Sequence, residues 1–255
     1  MNISLEGRTA IVTGGGSGLG RGYACGLAEA GAAVAVTGRR RELLDECAAE
    51  IQSNGGEALA VPCDVRSRDE VEAAVKQVVD WKGKVDILVN NAGVYPPGLF
   101  TMVEEAQWLD VMDTNINGPF RFSQTCARIM AEHGWGRIIN ILSPSALLGF
   151  AMVSAYGTSK GALAAMTRNM AAELSPMGIT VNSLTPGVSA TEKFVEFYSE
   201  VGVELMSKTL PLARPCKDED TIGALLLLAS DAASYLNGAN ICIDGGMTTT
   251  FSLGG

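Results

Sequence analysis

Short apolar runs alternate along this chain with longer segments in which apolar residues recur at helical spacing. The runs are rich in Val, Ile and Ala, the composition typical of strands buried on both faces of a parallel sheet. The alternation therefore predicts repeated strand–helix–strand units. The predicted strands are Thr9–Thr13, Ala33–Thr37, Ala58–Val61, Asp86–Asn90, Arg137–Leu142, Thr180–Leu184 and Asn240–Ile243.

Helical periodicity fills the intervals between these runs, and no linker or repeat of fixed period interrupts the series. A chain of 255 residues fits one α/β domain. We predict a single domain, residues 1–255, built on a doubly wound parallel sheet of about seven strands with helices on both faces. The predicted helices are Leu19–Ala30, Arg41–Ser53, Asp69–Trp81, Glu104–Ala131, Ser154–Leu174 and Asp218–Leu228.

Composition narrows the possible functions. The formal net charge of -9 disfavours a nucleic-acid partner, because that binding depends on clustered Lys and Arg. The chain shows neither a secretory signal nor an apolar segment of the ~20 residues that a membrane span needs, so we expect a soluble, cytoplasmic protein. His133 is the only histidine, and the six cysteines form no C-x-x-C pair. No metal site and no Ser-His-Asp hydrolase are therefore expected.

A glycine-rich turn follows the first predicted strand. It reads Thr13-Gly14-Gly15-Gly16-Ser17-Gly18-Leu19-Gly20 and leads directly into a helix. Glycine leaves no side chain between the backbone and a phosphate, and the N–H groups at a helix N-terminus bind anions. The turn lacks the Lys-Ser/Thr pair of a P-loop. We interpret it as a nucleotide site, with a plain strand-to-helix connection as the alternative.

A tyrosine and a lysine stand four residues apart at the start of the predicted helix Ser154–Leu174. Tyr156 and Lys160 then emerge on the same face of that helix. An ammonium ion favours the phenolate form, so we expect Lys160 to lower the pKa of Tyr156 toward a catalytic range. Ser143 directly follows a predicted strand, where its hydroxyl is placed to bind a carbonyl oxygen beside the tyrosine.

Taken together, these residues resemble the short-chain dehydrogenase/reductase family, whose members have a Rossmann-type fold. The resemblance covers nearly the whole chain and implies an NAD(P)(H)-dependent oxidoreductase acting on a small ketone or secondary alcohol. The motifs that carry it are Thr13-Gly14-x-x-x-Gly18-x-Gly20, Asp64-Val65, Asn90-Asn91-Ala92-Gly93, Asn115, Ser143, Tyr156-x-x-x-Lys160, Pro186-Gly187 and Ile241-Cys242-Ile243-Asp244-Gly245-Gly246.

The resemblance also implies a role for each site residue. Tyr156 is the general acid or base, Ser143 holds the substrate oxygen, and Lys160 lowers the tyrosine pKa and binds the nicotinamide ribose. Asn115, within a long helix, supports a water chain toward Lys160. The implied cofactor-binding residues are Gly14, Ser17, Gly18, Leu19, Gly20, Asp64, Val65, Asn91, Ala92, Gly93, Tyr156, Lys160, Pro186, Gly187, Val188 and Thr191.

The end of the second predicted strand indicates which nicotinamide cofactor is used. Gly38 stands where NAD-selective relatives have an acidic residue, and Arg39 and Arg40 follow it. A guanidinium fork suits a phosphate dianion, so both arginines are predicted to bind the 2′-phosphate. We expect NADP(H) to be preferred, with NAD(H) as the alternative.

Substrate and assembly are indicated only by family position. A substrate lid is expected at about residues 188–212. The candidate substrate contacts, mostly apolar and without Arg, are Tyr95, Ser145, Met152, Phe194, Phe197 and Tyr198. They favour an uncharged ketone or aldehyde. Relatives are commonly tetramers, and apolar residues on several faces of the long helices fit a homotetramer.

Two other functions stay open at this point. One is an NAD(H)-dependent sugar-acid or polyol dehydrogenase, because the resemblance extends to those enzymes as well as to 3-oxoacyl-carrier-protein reductases. The other belongs to a different class, a catalytically silent nucleotide-sensing or scaffold protein. Such proteins usually lack a catalytic group, whereas all four positions are filled here.

Overall fold

One parallel sheet of seven strands forms the centre of the protein, in the order β3-β2-β1-β4-β5-β6-β7. The computed structural model describes residues 3–189, 199, 202–204, 208 and 210–249. The chain moves outward from β1 to β3 and then returns to the other side of β1. The strands are β1 Thr9–Thr13, β2 Ala33–Gly38, β3 Glu57–Pro62, β4 Ile87–Asn90, β5 Gly136–Ile141, β6 Ile179–Pro186 and β7 Asn240–Ile243.

Helices cover both faces of this sheet, because successive side chains along each buried strand point to opposite faces. In β1, Val12 packs into the core under α1, α2 and α7, while Ile11 packs into the core under α3, α5 and α6. The predicted doubly wound architecture is confirmed. The helices are α1 Gly18–Glu29, α2 Arg41–Ser53, α3 Arg68–Lys82, α4 Glu105–Met112, α5 Gly118–His133, α6 Ser154–Leu174 and α7 Asp218–Ala229.

The prediction of one continuous helix over Glu104–Ala131 is wrong. The segment divides into α4, a π-helical stretch Asp113–Asn117, and α5. Pro119 explains the break, since it has no N–H to donate to the carbonyl of Asn115 four residues earlier. The N–H of Gly118 instead reaches back five residues to the carbonyl of Asp113. Asn115 therefore lies in a widened turn and not in a regular helix.

Among the described segments, no helix is long and apolar enough to cross a membrane. The strand order places one crevice between the carboxyl ends of β1 and β4, where the direction of winding reverses. In open α/β sheets such a switch point is where ligands bind.

Candidate active site

Thr13 and Asn91 tie the ends of β1 and β4 together at this switch point. The Thr13 hydroxyl oxygen accepts the backbone N–H groups of Asn91 and Ala92, each at 3.0 Å. The Asn91 side-chain amide donates back to the Thr13 carbonyl at 3.0 Å. The glycine-rich turn and the loop Asn91–Gly93 therefore lie side by side. Sequence reasoning named Asn91 and Ala92 but missed the Thr13 hydroxyl that fixes both.

The glycine-rich turn forms a cradle that side chains would fill. Gly14 and Gly18 have φ angles of +66° and +52°, which glycine adopts without strain. A Cβ at Gly20 would lie 2.2 Å from the Gly14 carbonyl oxygen. The first turn of α1 holds no acidic residue, and Ser17 does not cap it with its side chain. Its N-terminal N–H groups and positive dipole end fit an anionic phosphate group.

Arginines stand beside this cradle. Arg40 donates from Nη2 to the hydroxyl oxygen of Ser17 at 2.9 Å, and both Arg39 and Arg40 are exposed. The pKa of Asp64, in the loop after β3, is held below its usual range by hydrogen bonds from Arg66 and, to a smaller extent, by the charge of Arg39. The loops after β2 and β3 therefore share one side of the site.

The acid–base candidates meet at the other side. Ser143 directly follows β5, and Tyr156 and Lys160 lie one turn apart at the start of α6. The Ser143 side chain adjoins the Tyr156 hydroxyl, and hydrogen bonding from Ser143 acts to lower the pKa of that phenol. The Nζ atom of Lys160 lies 5.6 Å from the centre of the Tyr156 ring. The structure thus brings all three side chains together, on one face of α6 as the spacing predicts.

The pKa of Tyr156 departs from the sequence-based expectation. Desolvation raises it to about 12, although the hydrogen bond with Ser143 acts in the opposite direction. The amine of Lys160 donates to the Ile141 carbonyl at 2.7 Å and not to the Tyr156 hydroxyl. Burial lowers the pKa of Lys160 to about 8. At neutral pH the pair is therefore a protonated phenol beside a buried ammonium ion.

Asn115 connects the loop after β4 to α6. Its Oδ1 accepts the N–H of Val94 at 2.9 Å, and its Nδ2 donates to the Val94 carbonyl at 2.9 Å and to Ser159 Oγ at 3.0 Å. Ser159 in turn donates to the Tyr156 carbonyl at 2.7 Å. Sequence reasoning missed Ser159, and its position next to Lys160 was the only available signal. The widened turn therefore positions the catalytic end of α6.

Two loops border Ser143 and Tyr156 on the open side of the site. The Tyr95 ring packs against Tyr156 with 5.8 Å between ring centres, tilted by 59°. Gly98 donates its N–H to the Met152 carbonyl at 2.8 Å, and Met152 has a φ of +66° that strains a non-glycine residue. The Ser145 hydroxyl bonds that of Ser143 at 3.2 Å.

The end of β6 lines a further part of the crevice. Pro186 closes the strand, and Gly187 donates its N–H to the Ile243 carbonyl at 2.9 Å. A Cβ at Gly187 would lie 2.9 Å from the Cα of Asp244, so the close approach requires glycine. Gly187 and Val188 border a cavity of about 150 Å³. Four predicted contacts, Thr191, Phe194, Phe197 and Tyr198, and most of the predicted lid lie outside the described residues.

A phosphate cradle at the switch point, beside a protonated phenol, defines the class of protein as a nicotinamide-dependent oxidoreductase. The chain belongs to the short-chain dehydrogenase family, whose model matches residues 8–201.

Characterised relatives agree with this assignment. The chain is 35% identical over 246 residues to a 3-oxoacyl-[acyl-carrier-protein] reductase from Synechocystis sp., covering 96% of this chain and 98% of that protein. A short-chain type dehydrogenase/reductase from Mycobacterium marinum superposes with a TM-score of 0.91 at 37% identity, covering 98% of both chains. A gluconate 5-dehydrogenase from Burkholderia cenocepacia, in complex with NADP and tartrate, superposes with a TM-score of 0.93 at 33% identity, again covering 98% of both chains.

Proposed function

We propose that this protein transfers a hydride between NADP(H) and a small uncharged ketone or secondary alcohol. The observation that carries the proposal is the adjacency of Ser143, Tyr156 and Lys160, which presents a protonated phenol beside the glycine-rich cradle. Two neighbouring hydroxyl groups can bind a single carbonyl oxygen, one to hold it and one to protonate it.

The residues would act in a defined order during ketone reduction. NADPH, when bound, supplies the hydride. Ser143 would hydrogen-bond the substrate oxygen, and Tyr156 would transfer its proton to that oxygen as negative charge develops on it. The Lys160 ammonium would stabilise the resulting phenolate electrostatically, which opposes the effect of desolvation on the Tyr156 pKa. Asn115 would keep α6 in place and support the proton relay toward Lys160.

The residues around the crevice fit the parts of this cofactor. The glycine cradle suits the pyrophosphate, because its glycines add no side-chain bulk and it leads into the N-terminal N–H groups of α1. Arg39 and Arg40, with Ser17, suit the 2′-phosphate. The remaining proposed contacts are Leu19, Asp64, Val65, Asn91, Ala92 and Gly93 for the adenosine half, and Tyr156, Lys160, Pro186, Gly187, Val188 and Thr191 for the nicotinamide half.

Arg39→Ala is expected to raise the KM for NADPH about 10- to 100-fold while changing the KM for NADH less than about twofold, because a charged hydrogen bond to the 2′-phosphate is lost. Steady-state kinetics with both cofactors measure this. Arg41→Ala is the matched control, since Arg41 pairs with Asp45 in its own helix. Equal losses with NADPH and NADH would contradict the phosphate role. The NADP bound to the Burkholderia relative supports the preference.

The open side of the site favours an uncharged substrate. Segments 92–105 and 143–156 contain no Lys or Arg, and Leu99, Phe100, Leu147 and Met152 are exposed there. A sugar acid remains the second candidate, because the Burkholderia relative is a gluconate 5-dehydrogenase. The test follows NADPH absorbance with neutral cyclic, aromatic and aliphatic ketones and with 5-ketogluconate. A higher kcat/KM for 5-ketogluconate would replace the ketone proposal with the sugar-acid one.

We also propose a homotetramer. Leu109 on α4 and Phe120 on α5 are exposed at 57% and 44%, which leaves apolar surface uncovered on a single chain. Light scattering coupled to gel filtration is expected to give the mass of four chains. Substituting both residues by Asp is expected to reduce that mass, because a charge buried at an interface is costly. A monomeric wild type would contradict the proposal.

A further inference from the structure

We infer that Arg66 is a positioning residue for the adenine half of the cofactor, acting through Asp64. The inference rests on the proposed function, in which Asp64 contacts the adenine. Arg66 itself belongs to none of the motifs that identify the site. It lies two residues after Asp64, in the loop between β3 and α3, and its side chain reaches α4.

Arg66 holds the Asp64 carboxylate with a fork of hydrogen bonds. Its Nε lies 3.0 Å from Oδ1 and 3.1 Å from Oδ2, and its Nη2 lies 2.6 Å from Oδ2. The backbone N–H of Arg66 also donates to Oδ1 at 3.0 Å. These bonds fix the orientation of the carboxylate. These contacts come from three N–H groups, because the Nε hydrogen is shared between the two oxygens. A carboxylate has about four lone-pair positions, so one is left to accept a hydrogen bond from an exocyclic amine.

A second carboxylate holds Arg66 from the opposite side. Its Nη1 donates to Oδ1 of Asp110 at 2.6 Å, and Asp110 lies on α4. The guanidinium group is therefore fixed at both ends before any ligand arrives. Lysine cannot reproduce this arrangement, because an ammonium ion is a point charge without a planar fork.

The charge of Arg66 matters as well as its geometry. Asp64 is one-fifth exposed, and a dinucleotide bound here brings several phosphate charges to the same crevice. An unpaired carboxylate would repel those charges through a poorly screened environment. Arg66 offsets part of the negative charge of Asp64, while Asp64 still offers an acceptor for the adenine amine.

The test measures binding of the adenine half and use of the nicotinamide half of the cofactor separately. The variants are Arg66→Ala, Arg66→Lys and Asp110→Asn. Calorimetry measures the affinity for ADP and for 2′,5′-ADP, which both carry adenine. Turnover with reduced nicotinamide mononucleotide, added at high concentration, reports on the nicotinamide half of the cofactor, which lacks adenine. Arg68→Ala is the matched control, since Arg68 begins α3 and contacts Phe120.

We expect Arg66→Ala to weaken both adenine ligands about tenfold and equally. The kcat at saturating NADPH and the turnover with the mononucleotide stay within about twofold of wild type. Arg66→Lys recovers only part of the affinity, and Asp110→Asn loses less than Arg66→Ala. Arg39→Ala differs from all of these because it weakens only 2′,5′-ADP.

The inference is overturned if folded Arg66→Ala binds both adenine ligands as tightly as wild type. If the alanine variant does not fold, the same result with Arg66→Lys and Asp110→Asn overturns it. Equal loss of mononucleotide turnover would also overturn it, since that result indicates a general structural role. Failure of the proposed function is distinguishable: wild-type protein would then bind neither adenine ligand nor oxidise NADPH, and the inference would fall with it.

Discussion

Tyr156→Phe is expected to lower kcat for ketone reduction by about a thousandfold or more, while leaving the affinity for NADPH close to wild type. The substitution keeps the ring that packs against Tyr95 and removes only the hydroxyl beside Ser143. General acid catalysis contributes about 10²- to 10⁴-fold, and a hydroxyl that also binds the substrate oxygen places the loss in the upper part of that range.

Two measurements check this expectation. The decrease of nicotinamide absorbance gives kcat, and NADPH fluorescence titration gives the affinity. Tyr235→Phe is the matched control, because Tyr235 is fully exposed and its loss of a hydroxyl should leave both quantities unchanged. A Tyr156→Phe enzyme that retains a tenth of the wild-type kcat would show that another group supplies the proton.

Lys160→Met is expected to reduce kcat at least about a hundredfold and yet to make the protein more stable at pH 7. The lower kcat is expected because the ammonium ion that would stabilise the phenolate is lost. In wild type the reduction rate should fall as the pH rises through about 8, where Lys160 loses its charge. Kinetics across pH 6–10 check both statements, and a flat wild-type profile would contradict the electrostatic role.

The stability gain follows from the same buried charge. The pKa of Lys160 is about 8 in the folded protein against 10.5 for an ordinary lysine, so the unfolded chain binds more protons between those values. Stability therefore rises with pH across this window. Below pH 8 the buried charge lowers the free energy of unfolding by about 3 kcal/mol, and methionine removes this cost. The substitution also loses the hydrogen bond to the Ile141 carbonyl, which contributes ~1 kcal/mol.

Urea unfolding at several pH values measures this gain. The difference between Lys160→Met and wild type should be largest near pH 7 and should shrink toward pH 10.5. Lys76→Met is the control, because Lys76 is exposed and paired only with Asp80. A gain that stayed constant with pH would point to better packing and not to the removed charge.

The fold was largely readable from the sequence because its central strands are buried on both faces. Such strands must be continuous apolar runs, and β1 begins and ends where its run does. The edge strand β7, which is only partly buried, also matches its predicted range. The π-helical stretch was not predicted, since apolar spacing continues smoothly through it. The local signal was Pro119, which sits inside the predicted helix and cannot donate the hydrogen bond that a regular helix requires there.

The site was predicted as a set of residue types but not as a set of contacts. Asn115 bonds Ser159, 44 residues away, and Thr13 bonds Asn91, 78 residues away, so no local pattern contains either pair. Arg66 was not predicted for a related reason, because its second partner, Asp110, lies on the distant helix α4. The predicted direction of the Tyr156 pKa shift was wrong, because desolvation depends on the packing around the ring and residue spacing does not show that packing.

The widened turn at Asp113–Asn117 limits how far the length of this segment can vary. A regular α-helix advances by 100° per residue, so removing one residue there would close the turn into ordinary geometry and rotate one flanking helix against the other by that angle. Either Val94 would lose its amide partner, or Leu109 and Asp110 would swing to a different side of the molecule. Insertions and deletions that surface loops tolerate should therefore be absent from this stretch.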